Sequence, residues 1–141
     1  MITFFDTSVL VSACQRTHVH HSLSLDAFAV AEKSTAACGV HTLAEIYAVT
    51  TSMPGPYRVA PDDVWLFLRQ VSDLCRLISL DAFEYLNTLE SIVERGRTGG
   101  IIYDALLLGC ARKAHADRIL TWNVKHFRLV APDLADRIVT P

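Results

Sequence analysis

The sequence predicts a single α/β domain over residues 1–141, with a central parallel sheet of four to five strands and helices on both faces. Three observations carry that expectation. Met1-Ile2-Thr3-Phe4-Phe5 is an unbroken apolar and β-branched run ending in Asp6, the pattern of a strand buried on both faces. Short apolar runs alternate with longer amphipathic segments in the order β-α-α-β-α-α-β-α-α-β-(α)-β, as parallel strands joined by helical crossovers require. A length of 141 residues allows one sizeable core, and 51% hydrophobic against 20% charged residues excludes a disordered chain.

Asp6 closes the first strand, and Thr7 to Cys14 makes a short helix. An acid there is either the N-cap of that helix or a ligand in a site, because the crevice of an open α/β sheet lies outside the carboxyl ends of its strands. Gln15 to His21 is a polar loop. Its His18, His20 and His21, taken with Cys14, match no zinc spacing, so a solvated loop is expected. Ser22 to Lys33 reads as a second helix and Ser34 to Val40 as a second buried strand. Thr42-Leu43-Ala44-Glu45 opens a helix through about Thr51. As T-x-x-E it is a capping box in which Glu45 bonds the backbone of Thr42, or else Glu45 faces the same strand edge as Asp6. Met53 to Pro61, with three prolines and a glycine, is a loop.

Asp62 is expected to cap the next helix, whose core stripe is Val64, Phe67, Leu68, Val71 and Leu74. Trp65 and Leu66 fall off that stripe and mark a partner surface. Arg76 to Leu80 is a third strand. Asp81 with Glu84 caps an amphipathic helix that gathers Ala82, Leu86, Leu89 and Val93 on one face. Past Gly99-Gly100, Ile102 to Ala111 is apolar nearly all round and therefore a buried helix. Asp104 at its head needs a partner, since an unpaired buried carboxylate is costly. Asp117 to Thr121 is a fourth strand. Trp122-Asn123, a short turn through Lys125-His126-Phe127 and an edge strand from Arg137 to Thr140 complete the chain. Asp6, Glu45, Asp104, Thr121 and Asn123 then share one edge of the sheet.

A net charge of −2 argues against constitutive binding of polyanions, but the charge is unevenly spread. Residues 1–94 hold 5 basic against 11 acidic side chains, and residues 95–141 hold 8 against 4. Arg95, Arg97, Arg112 and Lys113, which flank Asp104 in sequence, are therefore candidates to contact the phosphate backbone of a polyanionic partner. No apolar run reaches the ~20 residues of a membrane span, and no signal peptide is visible, so a cytoplasmic protein is expected. Cys14, Cys38, Cys75 and Cys110 lie far apart in apolar segments without a CxxC pair, as free thiols of a reducing compartment do.

Oxygen ligands converging on one crevice without a cation repel one another. A hard divalent cation such as Mg²⁺ removes that conflict and serves phosphodiester cleavage. Gly-rich phosphate loops, HExxH and a nucleophilic triad order are all missing. The strand entering Asp6-Thr7-Ser8, then Leu43-Ala44-Glu45, Tyr103-Asp104-Ala105 and Leu120-Thr121-Trp122-Asn123-Val124-Lys125-His126-Phe127 resemble, in order and spacing, the PIN-domain ribonucleases. More narrowly they resemble the VapC toxins of bacterial VapBC toxin–antitoxin pairs, over nearly the whole chain. The resemblance implies a PIN-like nuclease domain over residues 1–141 and endonucleolytic cleavage of RNA dependent on Mg²⁺ or Mn²⁺. It also implies a homodimer and inhibition by a cognate antitoxin. Carried over by residue, Asp6, Glu45 and Asp104 are metal ligands, Asn123 is the fourth catalytic position, and Thr7 and Thr121 support the site. That fourth position is often Asp, so Asn123 lowers the site's charge and bears on whether a second ion binds. Two other readings stay open: a binding-only module of the same fold, which Asn123 makes possible, and a receiver-like Mg²⁺-binding domain. The receiver would use Asp81, Thr121 and Lys125 as acceptor, switch and cation, yet Phe4-Phe5 stands where it needs a second acid.

Overall fold

The computed structural model describes every residue from Met1 to Pro141. Its strands are β1 (Thr3–Phe5), β2 (Ala36–Gly39), β3 (Arg76–Ile78), β4 (Arg118–Leu120) and β5 (Ile138–Val139). They form one sheet in the order β3-β2-β1-β4-β5, parallel at every pairing, with β1 in the centre. Phe4 and Phe5 are both buried and belong to different cores, since successive side chains of a strand point to opposite faces. The fold class and the central place of the first strand are as expected.

Four helices lie over the Phe5 face: α1 (Thr7–Cys14), α2 (His21–Ala29), α3 (Val40–Thr51) and α4 (Pro61–Leu74). The Phe4 face carries α5 (Ala82–Glu94), α6 (Ile101–Lys113) and α7 (Val124–Val130). Val64, Leu68 and Val71 of α4 are buried while Trp65 and Leu66 are 60% exposed, as the stripe requires. In α6, Ala105, Leu107, Leu108, Cys110 and Ala111 are buried. The cysteines are free, with Cys38, Cys75 and Cys110 buried and Cys14 half-buried.

Several local expectations are corrected. Helix α2 stops at Ala29, short of Lys33. Helix α3 begins at Val40 with Gly39 at its N-cap, so Thr42 lies inside the helix and no capping box with Glu45 forms. The chain turns there tightly against α6: a side chain at Gly39 would bring its Cβ within 2.9 Å of Leu107. Helix α4 is capped at Ala60 with Pro61 in the first turn, and Asp62 and Asp63 sit in that turn, favourable to the helix dipole but not caps. Asp81 and Glu84 do form the capping box of α5, with bonds of 2.8 and 3.0 Å. The apolar stripe of α5, however, faces solvent: Leu86 is 65% and Val93 74% exposed, and only Ile92 is buried. The supposed turn after Asn123 is the seven-residue helix α7, which buries Phe127 and Val130.

Candidate active site

Asp6 leaves β1 with its backbone N–H on Leu120 O at 3.0 Å and its side chain only 3% exposed. Oδ2 accepts from Ser8 N–H at 3.3 Å, which makes Asp6 the N-cap of α1. The same oxygen accepts from Ser8 Oγ at 2.7 Å and Thr121 Oγ1 at 2.8 Å. Each hydroxyl in turn accepts a backbone N–H at 3.0 Å, Ser8 from Trp122 and Thr121 from Asn123. Those N–H groups can only donate, so both hydroxyl protons are directed at Asp6. Asp6 thus caps a helix and also faces a site. Burial pushes its carboxyl upward, and the bonds from Ser8 and Thr121 oppose that rise.

Glu45 comes from the second turn of α3. Its Oε1 accepts from Thr7 Oγ1 at 3.4 Å and stands 3.9 Å from His41 Nε2, one helical turn before it. Thr42, fully buried, shares a 2.9 Å hydroxyl bond with Thr7, so the T-x-x-E pattern serves Glu45 through Thr7. Burial raises the Glu45 carboxyl, His41 and the Thr7 bond lower it, and Asp6 and Asp104 raise it further. Asp104 lies in the first turn of α6 with Oδ2 2.6 Å from His126 Nδ1. Burial raises its carboxyl, with Asp6 adding to the rise and His126 opposing it. Asp6 thus raises both of the other acids, and Asp104 raises Glu45 as well.

These groups line one crevice of about 510 Å³ at the carboxyl edge of the sheet, together with Thr7, Ser8 and Asn123. Asn123 is exposed, and its side chain makes no capping bond to α7. The donor set, carboxylates and an amide with no thiolate, suits a hard cation such as Mg²⁺ or Mn²⁺, and a buried carboxylate without a fixed cation is the group such an ion would relieve. As arranged, no three acidic, histidine or cysteine groups stand close enough to share an ion. His126 and Thr7 engage Asp104 and Glu45 instead.

The basic candidates are elsewhere. Arg112 forms a two-pronged pair with Asp133, Lys113 pairs with Glu84, and Arg95 donates to the carbonyls of Val130 and Leu129. None of the three, nor the exposed Arg97, lines the crevice. Eight residues of helix separate Asp104 from Arg112, about 12 Å toward the opposite edge. Asp81 is engaged in capping α5, which removes the acceptor of a receiver-like domain.

The structure adds residues that the sequence did not single out. Ser8 looks like any hydroxyl after an N-cap. His126 is legible only once α7 is known to be a helix, with Asn123 at its N-cap and His126 in its first turn. His18 and His20, expected in a solvated loop, are half-buried and line the crevice beside Trp122.

A parallel sheet in this order, carrying an acidic crevice at its carboxyl edge, defines a PIN domain. The chain belongs to that family, whose model matches residues 3–131. Among its relatives is ribonuclease VapC40 of Mycobacterium tuberculosis, 33% identical over 124 residues that cover 85% of each chain. Ribonuclease VapC27 of the same organism is 35% identical over 112 residues, covering 79% of this chain and 78% of its own. Among solved structures, VapC20 of M. tuberculosis, described as a sarcin-ricin loop cleaving toxin, superposes with a TM-score of 0.69 at 16% identity, over 88% of this chain and 92% of that one. VapBC2 of Rickettsia felis, bound to a DNA fragment from its promoter, gives 0.63 at 19% identity, over 93% and 94%. At such identities the two structures speak for the fold.

Proposed function

We propose that this protein is a metal-dependent endoribonuclease acting as the toxin of a type II toxin–antitoxin pair. One observation carries the reading: Asp6, Glu45 and Asp104, from β1, α3 and α6, meet in one crevice where burial raises all three carboxyls. Relatives named as ribonucleases support it. Asp6, Glu45 and Asp104 would hold Mg²⁺ or Mn²⁺, with the Asn123 amide oxygen as a neutral fourth group. Once bound, such an ion supplies an activated water and stabilises developing charge on the phosphate. The chain's own contribution is to place the acids: Ser8 and Thr121 fix Asp6, Thr7 orients Glu45, and His126 holds Asp104.

The same reading assigns partners. A cognate antitoxin would cover part of the α4 surface at Trp65 and Leu66, and a second copy the exposed stripe of α5. No helix is long and apolar enough to cross a membrane, and action on RNA places the protein in the bacterial cytoplasm on this reading. Purified protein incubated with RNA and Mg²⁺ or Mn²⁺ is expected to cut internally, to stop with EDTA, and to lose cleavage on Asp104→Asn with the fold retained. Cleavage that survives both EDTA and that substitution would overturn the reading. Asn123 and the separated acids favour one alternative, a binding-only module, for which the same assay would show RNA bound but intact.

A further inference from the structure

Trp122 and His20 form a flat aromatic wall on the flank of the acidic crevice. Trp122 is fixed at both ends: its backbone N–H donates to Ser8 Oγ at 3.0 Å and its indole Nε1–H to Ser24 Oγ at 2.8 Å. Ser24 is fully buried and bonded to Ser12 at 2.7 Å, so the ring is anchored in the core. The imidazole of His20 lies flat on that indole, with ring centroids 3.7 Å apart and planes 8° from parallel. His18 stands next in the row at 5.6 Å, but its plane is turned by 38°, so it does not close a stack on the second face of His20.

The loop that presents these rings is also held. His18 Nδ1 accepts the backbone N–H of His20 at 3.0 Å, and His21 Nδ1 lies 2.9 Å from Ser12 O. With Nδ1 accepting, the neutral His18 ring carries its proton on Nε2, a free hydrogen-bond donor. His18, His20 and Trp122 line the same crevice as the three carboxylates.

An isolated His–Trp stack is ordinary surface packing. Here the backing indole is anchored in the core and the backbone of His20 is tied to His18, and the stack answers a deficit in the site. Carboxylates repel phosphates, and Arg95, Arg97, Arg112 and Lys113 do not line the crevice. Backbone attraction by those cations is therefore not available beside Asp6 and Asp104. Stacking of a base on an aromatic ring needs no charge and tolerates any base, since each has a π-face. A ring already laid flat on an anchored indole gives up less conformational freedom on binding than a free side chain does.

We propose that His20, backed by Trp122, is the stacking platform for a nucleobase next to the scissile phosphate, with His18 Nε2–H donating to the edge of that base. The proposal rests on the ribonuclease reading and extends it to substrate positioning. Two separable measurements test it. In the first, Asp104→Asn protein without metal is titrated into a fluorescently labelled single-stranded 12-nucleotide RNA, and into an abasic ribose-phosphate strand of equal length, and followed by anisotropy. His20→Ala is expected to weaken RNA binding about 5- to 150-fold, the range that loss of one stacked base implies. It should leave the abasic strand unaffected, and His20→Phe, which keeps a flat ring, should restore RNA binding. In the second, with Asp104 intact, His20→Ala should raise KM for RNA cleavage far more than it lowers kcat.

Equal or tighter RNA binding by His20→Ala overturns the platform; tighter binding would mean that His20 only shields Trp122. Absence of cleavage together with intact base-dependent binding would count against the ribonuclease reading and leave the platform standing. Cleavage without any base-dependent binding would sink the platform alone, and absence of both would sink both.

Discussion

Replacing Thr121 by Val tests how the buried carboxylate of Asp6 is held. Val nearly matches Thr in shape, and Thr121 is fully buried, so the change removes a hydroxyl without opening a cavity. Three contacts go with it: the 2.8 Å bond to Asp6 Oδ2, the 3.0 Å bond from Asn123 N–H and a long 3.4 Å contact with Ser8 Oγ, which adds little because the Ser8 proton is already on Asp6. A hydrogen bond to a charged group contributes about 1.5–3 kcal/mol. The Asn123 N–H belongs to an exposed residue and can turn to water, so its loss adds little. The expected deficit is about 2–3 kcal/mol, or roughly 7–10 °C in Tm for a domain of this size. It should depend on pH with a definite sign. Burial already raises the Asp6 carboxyl in the folded state, and losing a donor raises it further. Such a group's contribution is fully present below the unfolded value and is lost as pH rises through the folded one. The gap between Thr121→Val and the parent must therefore be widest near neutral pH and narrow on acidification, as Asp6 takes up its proton. Urea unfolding in EDTA at about pH 7.5 and about pH 5 measures both, and Thr121→Ser, which keeps the hydroxyl, should lose only about 1 kcal/mol. A deficit under about 1 kcal/mol, or one equal at both pH values, would refute the claim that this hydroxyl supports a buried charge.

Asn123→Asp should lower the Mn²⁺ concentration needed for half-maximal cleavage, since a carboxylate offers a hard cation more than an amide does; identical calorimetric metal titrations of both forms would place the side chain away from the ion. Neutralising Arg112 and Lys113 to Gln is expected to leave the salt dependence of RNA binding unchanged, because their partners are Asp133 and Glu84; a flatter slope of affinity against salt would bring them back to the RNA. Leu86→Glu with Val93→Glu on α5 should leave the melting temperature nearly unaltered and shift sizing chromatography to a monomer. An unchanged elution volume from a dimeric parent would move the copy-to-copy contact to another face.

What the sequence made legible divides along physical lines. The central strand and the parallel sheet could be read because a strand covered on both faces has no polar alternation to confuse it. Asp6, Glu45 and Asp104 could be placed at one edge because each follows an apolar strand or heads a helix, and topology alone then sets the edge. The direction in which α5 faces was not legible: its stripe has core spacing, but spacing does not say whether the core or another molecule covers it. Helix α7 spans seven residues, too few for a 3.6-residue period to show. The histidine loop was misread as solvated because the ring it packs on is Trp122, about a hundred positions away in the chain. Arg112 and Lys113 misled through nearness in sequence, since two turns of helix carry a side chain from one edge of the sheet to the other.

The bond between Asp6 and Thr121 joins residues 115 positions apart, across the neighbouring strands β1 and β4. A polypeptide still leaving the ribosome has made the first acid of the crevice long before the strand that steadies it. Until Arg118 to Leu120 pairs beside Thr3 to Phe5, Asp6 lacks the Thr121 donor, Trp122 has no N–H to offer Ser8, and α7 cannot bring His126 to Asp104. Assembly of the crevice thus waits until residues 118–126 have been made. A chain ending before residue 118 has all three acids and the donors of Ser8 and Thr7, but neither the Thr121 hydroxyl on Asp6 nor His126 beside Asp104, so two of the three acids of such a fragment are incompletely held.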